Sequence, residues 1–400
     1  MRTSALKAFY LFTILWAFNP TGGLWILYLL HCHWTLFQVG LGEAGFHLVS
    51  FLFGMPTGLF ADRWGRRKSL GVGLAVQALT TTSTLLWAPT SFILGFISIS
   101  LGALAWSFID GADRALLFSI VDDGDSSTFG RVYGSILAVN LITRALATAM
   151  GGWMVAHRGW YMPYGATVLS SLLGLLAIKA LPENRSLSGD TVPSIRHMAQ
   201  DLSRALGTVQ KLPGLSLWVL LGSLLATMVT INNLYAQSTL ALKGASLESV
   251  SLLVALAGIA TALGSWVGGR IGSGRETRVL SWGTLILGVA VGTVGLLPLK
   301  EASVGYVSAA EVDGTLDPLY ESALNRLTPD ALRATILSIP GTGFSLGMIF
   351  LFPLMGWAMG AHHVQIAYGL LALGLCVMAL GFASAERYRG KPRKTQREQT

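Results

Sequence analysis

The chain has 400 residues, of which 52% are hydrophobic and only 12% charged, and its mean hydropathy is +0.58. Soluble domains carry about 25% charged residues, and a single soluble core stops growing near ~250–300 residues, so this composition excludes a water-soluble globular protein. A net charge of +8 would raise nucleic acid as a partner for a soluble chain, but here Lys and Arg sit in short loops between apolar runs, and no nucleic-acid partner is expected.

Spanning a bilayer takes ~20 apolar residues, and in chain order twelve runs qualify: about 8–30, 41–61, 70–88, 92–117, 132–156, 161–181, 213–237, 246–270, 278–298, 301–323, 335–359 and 364–384. The first run, interrupted by Asn19-Pro20 and Gly22-Gly23, reads as a retained helix rather than a cleavable leader. A polar segment, 182–212, separates two sets of six. The expected organisation is therefore an N-terminal six-helix bundle (1–181), a cytoplasmic linker (182–212), a C-terminal bundle (213–385) and a basic cytoplasmic tail (386–400). With both termini in the cytoplasm, 24 of the 28 Lys and Arg fall inside and three (Arg158, Lys243 and Lys300) outside, which is the bias that orients membrane helices. The two cysteines, Cys32 and Cys376, define neither a disulfide framework nor a CxxC site.

The two sets of six repeat each other. The stretch 109–136 resembles 312–339, matching Asp110-Gly111 to Asp313-Gly314 and Arg131 to Arg333; a looser echo links 58–70 with 268–280. Parallel repeats of this size are a transporter signature.

Gly58-Leu59-Phe60-Ala61-Asp62-Arg63-Trp64-Gly65-Arg66-Arg67-Lys68-Ser69-Leu70, between the second and third runs, resembles motif A of the major facilitator superfamily. The resemblance covers nearly the whole chain in topology, though only motif A is specific. It implies an all-α membrane protein with twelve transmembrane helices in two pseudo-symmetric six-helix bundles around a central cavity. Helices 1, 4, 7 and 10 would line that cavity, and motif A would control a cytoplasmic gate. The motif predicts close packing at Gly58, a tight turn at Gly65, and bridges from Arg66, Arg67 and Lys68 to neighbouring carboxylates, with Asp62 and Arg63 at the helix end. The arginine that drug:proton antiporters of the superfamily often carry in helix 4 is missing at Ser98–Gly102. Their helix 5 signature also lacks its proline around Gly151-Gly152, which weakens assignment to that branch.

Each charge within a membrane helix costs about 2.5–3.5 kcal/mol on insertion scales and needs a reason. Glu311, Asp313, Asp317 and Glu321 fall on the tenth run, the last three spaced i, i+4, i+8 on one face; Asp110, Asp113 and Arg114 fall on the fourth. Asp110 and Asp313, each followed by an arginine about 20 residues on (Arg131, Arg333), are expected to latch the cytoplasmic side, with a direct transport role as the alternative. Glu311 has no acidic counterpart in the first half and is the leading residue for proton coupling. Arg144, alone on the fifth run, is open to three readings: binding an anionic group, pairing with an acid, or snorkelling. Asn19, Asn232 and Asn233 are expected at the cavity. Glu43 and His47, with His31, Cys32 and His33 near them, read as interface residues, and no metal site is expected. No GxxxxGK[ST], nucleophile elbow or HExxH occurs, so neither ATP-driven transport nor an enzyme is expected.

The sequence thus predicts a monomeric, multi-pass cell-membrane antiporter without cofactors, binding a small-molecule substrate and coupling to protons. Export of a lipophilic or cationic compound leads. Metabolite uptake and a transport-dead sensor or receptor are the alternatives.

Overall fold

A computed structural model describes residues 2–121, 126–183, 213–272, 274–328, 333–360 and 363–389, together with 207, 209 and 210. Most of the predicted linker and the tail beyond 389 lie outside the described residues. Among those described, every regular element is a helix: α1 (Arg2–Ala17), α2 (Trp25–His31), α3 (Leu36–Trp64), α4 (Arg66–Trp87), α5 (Phe92–Ile109), α6 (Ala112–Val121), α7 (Ser126–Arg158), α8 (Tyr161–Ala177), α9 (Pro213–Leu242), α10 (Leu247–Gly268), α11 (Glu276–Leu296), α12 (Leu299–Leu327), α13 (Arg333–Gly360) and α14 (Val364–Arg389).

Each of the twelve predicted runs falls on a helix or a helix pair, and ten of them are long and apolar enough to cross a bilayer. The other two fail for identifiable reasons. The first run is broken into α1 and α2, and α12 carries too many charges. At the break, Pro20 supplies no N–H. The side chain of Asn19 accepts instead from Thr21 N (3.2 Å) and Thr21 Oγ1 (2.7 Å). The helix α3 opens on a capping box, Gln38 N to Thr35 Oγ1 at 3.2 Å and Thr35 N to Gln38 Oε1 at 2.9 Å. It ends at Gly65, whose φ of +104° allows α4 to begin at the next residue. The predicted 92–117 run is interrupted: Asp110 is extended and Gly111 has φ +85°, dividing α5 from α6.

The chain forms two compact units. The first holds α1–α8 with residues 237–259 and 348–362. In it α5 packs along α3 and α4, and α1 lies against α7 and α8. Phe9, Phe12, Trp16, Leu70, Leu74 and Leu116 fill its core. Gly151 lets α7 press on the break, since a Cβ there would lie 2.2 Å from Pro20 O. The second unit holds residues 193–236, 260–347 and 363–400, with α11 packed along α12 and α14. Leu370, Leu380 and Phe350 stand more than half exposed; on a membrane protein these are the side chains that meet lipid.

Candidate functional site

The candidate site is a cavity of about 370 Å³ in the second unit, walled by α9, α10, α12 and α13. Its shape starts from small residues. A Cβ at Gly314 of α12 would lie 2.1 Å from Thr261 O, one at Gly264 of α10 2.0 Å from Glu311 O, and one at Gly268 2.3 Å from Thr315 O. The two backbones therefore touch, as small residues allow between membrane helices. Thr261 Oγ1 adds a bond to Ala310 O at 3.1 Å. On the opposite flank Gly222 of α9 receives the Tyr320 ring, and Tyr320 OH donates to Trp218 O at 3.1 Å. These contacts fix α12 at both flanks and aim Asp313, Asp317 and Glu321 into the space between.

The three carboxylates share one helical face, and among the described residues lining the cavity none is Lys, Arg or His. Asp313 lies at the midpoint of α12, fourteen residues from either end, or ~21 Å along the axis. The predicted run 301–323 already holds Asp313 near its middle, and the helix extends that run at both ends. Glu311 has an exposed side chain and is absent from the lining, although its carbonyl packs on Gly264. Thr230, Asn233 and Ser265 add polar groups. The Asn233 side-chain oxygen is fully buried and has no partner among the described residues, as are those of Asn232 and Gln237 on the same helix.

The other predicted residues lie in the first unit or at helix ends. Arg66 donates to Ala115 O at 2.6 Å; Arg67 donates to Leu181 O at 3.1 Å and faces Glu183 at 3.6 Å. The motif's cations thus staple α4 to α6 and to the end of α8, with Glu183 as the carboxylate partner among the described residues. Asp62 and Arg63 are exposed at the end of α3. Gly58 was expected to allow close packing, but a Cβ there would meet nothing within 4 Å. Asp110 pairs with Arg114 at 2.7 Å across the α5–α6 break. Asn19 is occupied, its oxygen also accepting from Thr167 Oγ1 at 3.2 Å. Arg144 donates from Nε to Asn140 Oδ1 at 2.9 Å, with its guanidinium 4.8 Å from the centre of the Trp106 ring. Glu43 and His47 face each other at 3.5 Å along α3.

Glu276, only 2% exposed, was not singled out by the sequence. It accepts from Gly274 N at 2.9 Å and pairs with Arg326. It occupies, in the looser repeat, the position of Arg66. An acidic residue at the head of a helix, echoing a basic one in motif A, was the available signal.

The family model described as Major Facilitator Superfamily matches residues 6–310, and the chain belongs to that superfamily. It is accordingly an integral, multi-pass membrane protein and a secondary transporter of small molecules. Among curated proteins it is similar to the uncharacterized MFS-type transporter YxaM of Bacillus subtilis (strain 168), at 21% identity covering 96% of this chain and 95% of YxaM. It also resembles YdeG of the same organism, at 30% identity over 38% of this chain and 33% of YdeG. Among solved structures it shares its fold with the nucleoside transporter NupG (TM-score 0.76, 14% identity, 97% and 99% of the two chains). It likewise shares it with a bacterial homologue of the lysosomal transporter Spinster in an inward-facing conformation (TM-score 0.71, 16% identity, 97% and 96%).

Proposed function

We propose that this chain is a proton-coupled exporter of a lipophilic or cationic compound, working by alternating access in the cell membrane with both termini in the cytoplasm. One observation carries the reading: three carboxylates on one face of α12 open into a cavity whose described lining residues include no basic side chain. A carboxylate in that setting is stabilised by a proton or by a cationic group, and exchange of one for the other is antiport. We assign the leading role to Asp313, which lines the cavity, rather than to Glu311, which does not, with Asp317 and Glu321 one and two turns further along. Motif A and the Asp110–Arg114 pair are assigned to the cytoplasmic gate. The coupling test uses the purified protein in proteoliposomes with tetraphenylphosphonium and ethidium as probes under an imposed pH gradient. Asp313→Asn is expected to abolish gradient-driven flux and to keep counterflow. Gradient-driven flux at the wild-type rate in both Asp313→Asn and Asp317→Asn would overturn the proposal.

A second reading, uptake of a polar metabolite, is favoured by the buried amide oxygens of Asn232, Asn233 and Gln237, which have no partner among the described residues. Each calls for a hydrogen-bond donor, as a sugar or base would supply. NupG, a nucleoside transporter of the same fold, makes uridine the first probe. Counterflow of uridine without flux of either cation would replace export by uptake.

A further inference from the structure

Among the described residues of the first unit, Arg144 is the one Lys or Arg in the middle of a spanning helix. It lies fourteen residues from Arg158 at the end of α7 and fifteen from Phe129 at the start of the apolar span. That is ~21 Å along the axis from either end, beyond the reach of a snorkelling side chain. The acids described on α1–α8 are committed elsewhere or sit at helix ends: Glu43 faces His47, Asp110 holds Arg114, Asp113 accepts from Arg114 N, and Asp62 is exposed at the end of α3. No carboxylate among the described residues lies within salt-bridge distance of Arg144. Its neighbours orient it without neutralising it. Asn140 takes the Nε–H, and the Trp106 ring backs the guanidinium. Trp106 is itself 45% exposed and braced edge-on by Trp16, with ring centres 5.5 Å apart. The two terminal amino groups, four N–H donors in one plane, have no protein acceptor among the described residues.

We infer that Arg144, oriented by Asn140 and backed by Trp106, is a recognition site for the carboxylate or phosphate of an organic solute that this transporter carries. A planar fork with its Nε already fixed pairs with a two-oxygen anion through parallel N–H···O bonds, and the open part of the Trp106 ring accepts an apolar or aromatic body. The cargo is then a lipophilic compound that carries an acidic group, within the class of lipophilic compounds proposed above. This rests on the transporter reading only in treating the ligand as cargo; it is independent of which carboxylate carries the proton. The depth along α7 argues against a lipid headgroup as the natural anion.

The test is binding to the purified protein in nanodiscs of neutral phosphatidylcholine, which removes anionic lipid as a source. The probes are benzoate, phenyl phosphate and benzamide, read by tryptophan fluorescence and by melting temperature. The anions are expected to bind at millimolar concentration or better and at least about tenfold more tightly than benzamide. Arg144→Gln should erase that preference, Arg144→Lys should keep the charge but weaken it several-fold, and Lys300→Gln, which removes an exposed cation at the end of α12, should leave it intact. These outcomes do not depend on which carboxylate carries the proton. Addition of phosphatidylglycerol should not compete. Equal binding of benzoate and benzamide, no anion binding at about 10 mM, or a preference that survives in Arg144→Gln, would overturn the inference. If Arg144 merely ties α7 to α5, Arg144→Gln lowers the melting temperature and leaves the benzoate:benzamide ratio unchanged. Displacement of benzoate by phosphatidylglycerol would reassign the site to lipid. If Arg144→Gln does not fold, Asn140→Ala, which frees the fork without removing it, should reduce the anion preference, and an unchanged ratio there also overturns it.

Discussion

Gly58 and Gly314 are both small residues at places the repeat pattern marks, yet they do different work. A Cβ at Gly314 would lie 2.1 Å from the Thr261 carbonyl oxygen and 2.8 Å from its carbon, atoms of a helix backbone that cannot step aside. Gly314→Ala is therefore expected to destabilise the protein by about 1–3 kcal/mol through overpacking, and Gly58→Ala, which adds a methyl to open space, to leave the melting temperature unchanged. Equal melting temperatures for the two variants would refute the α10–α12 contact. Glu276 makes a second residue-scale case. Its buried carboxylate holds both Gly274 N and Arg326, and Glu276→Gln should lower stability by about 1–3 kcal/mol, below the 3–5 of a fully buried pair because Arg326 is 42% exposed. No change in melting temperature would show that the pair is ornamental to the fold. Sequence identified the residue types at these positions but not their uses. Spacing places a side chain on a face of its own helix; the partner across the gap comes from packing. Asn19 shows the same limit: it reads as a cavity amide, and its side-chain oxygen accepts from Thr21 and Thr167.

Elements were more legible than residues. Runs of ~20 apolar residues announce themselves because lipid leaves the backbone no partner but itself. Motif A announced the one-residue turn at Gly65. The break between α5 and α6 was hidden because Asp-Gly is tolerated within an apolar run, and its repeat partner Asp313-Gly314 sits in an unbroken helix. There the glycine serves contact with Thr261, and in α5–α6 it serves a positive φ. The helix α12 is where stability and function oppose each other. It fails the apolarity expected of a span because Asp313, Asp317 and Glu321 face its cavity without a basic lining residue. A charge at mid-span costs about 2.5–3.5 kcal/mol on insertion scales. Asp313→Asn should therefore raise the melting temperature of the substrate-free protein while it removes gradient-driven transport, the expected signature of a functional rather than a structural carboxylate. A lower melting temperature in that variant would make Asp313 part of the scaffold.

At the scale of the whole molecule the open question is which end of each helix faces which side of the membrane. From the charge bias we propose that loops carrying Arg63, Arg66, Arg67 and Lys68, or Arg270, Arg275 and Arg278, belong on the cytoplasmic side, and those with Arg158, Lys243 and Lys300 opposite. Spans with charged loops at both ends run from a loop of one set to a loop of the other. The span α10 joins the turn after Lys243 to the loop of Arg270 and Arg275, and α12 joins Lys300 to Arg326. A single-cysteine experiment tests it without reference to substrate. In a background with Cys32→Ser and Cys376→Ser, Lys243→Cys in intact cells should react with a membrane-impermeant maleimide. Arg275→Cys should react only after the membrane is opened. Both positions border helix ends rather than packed surface, and Lys243 and Arg275 lie at opposite ends of α10, one residue past α9 and one before α11. Each therefore controls for the other's accessibility. Labelling of Arg275→Cys from outside, with Lys243→Cys protected until lysis, would invert the orientation. It would also place Lys68 and its neighbours outside, and remove motif A from any cytoplasmic gate.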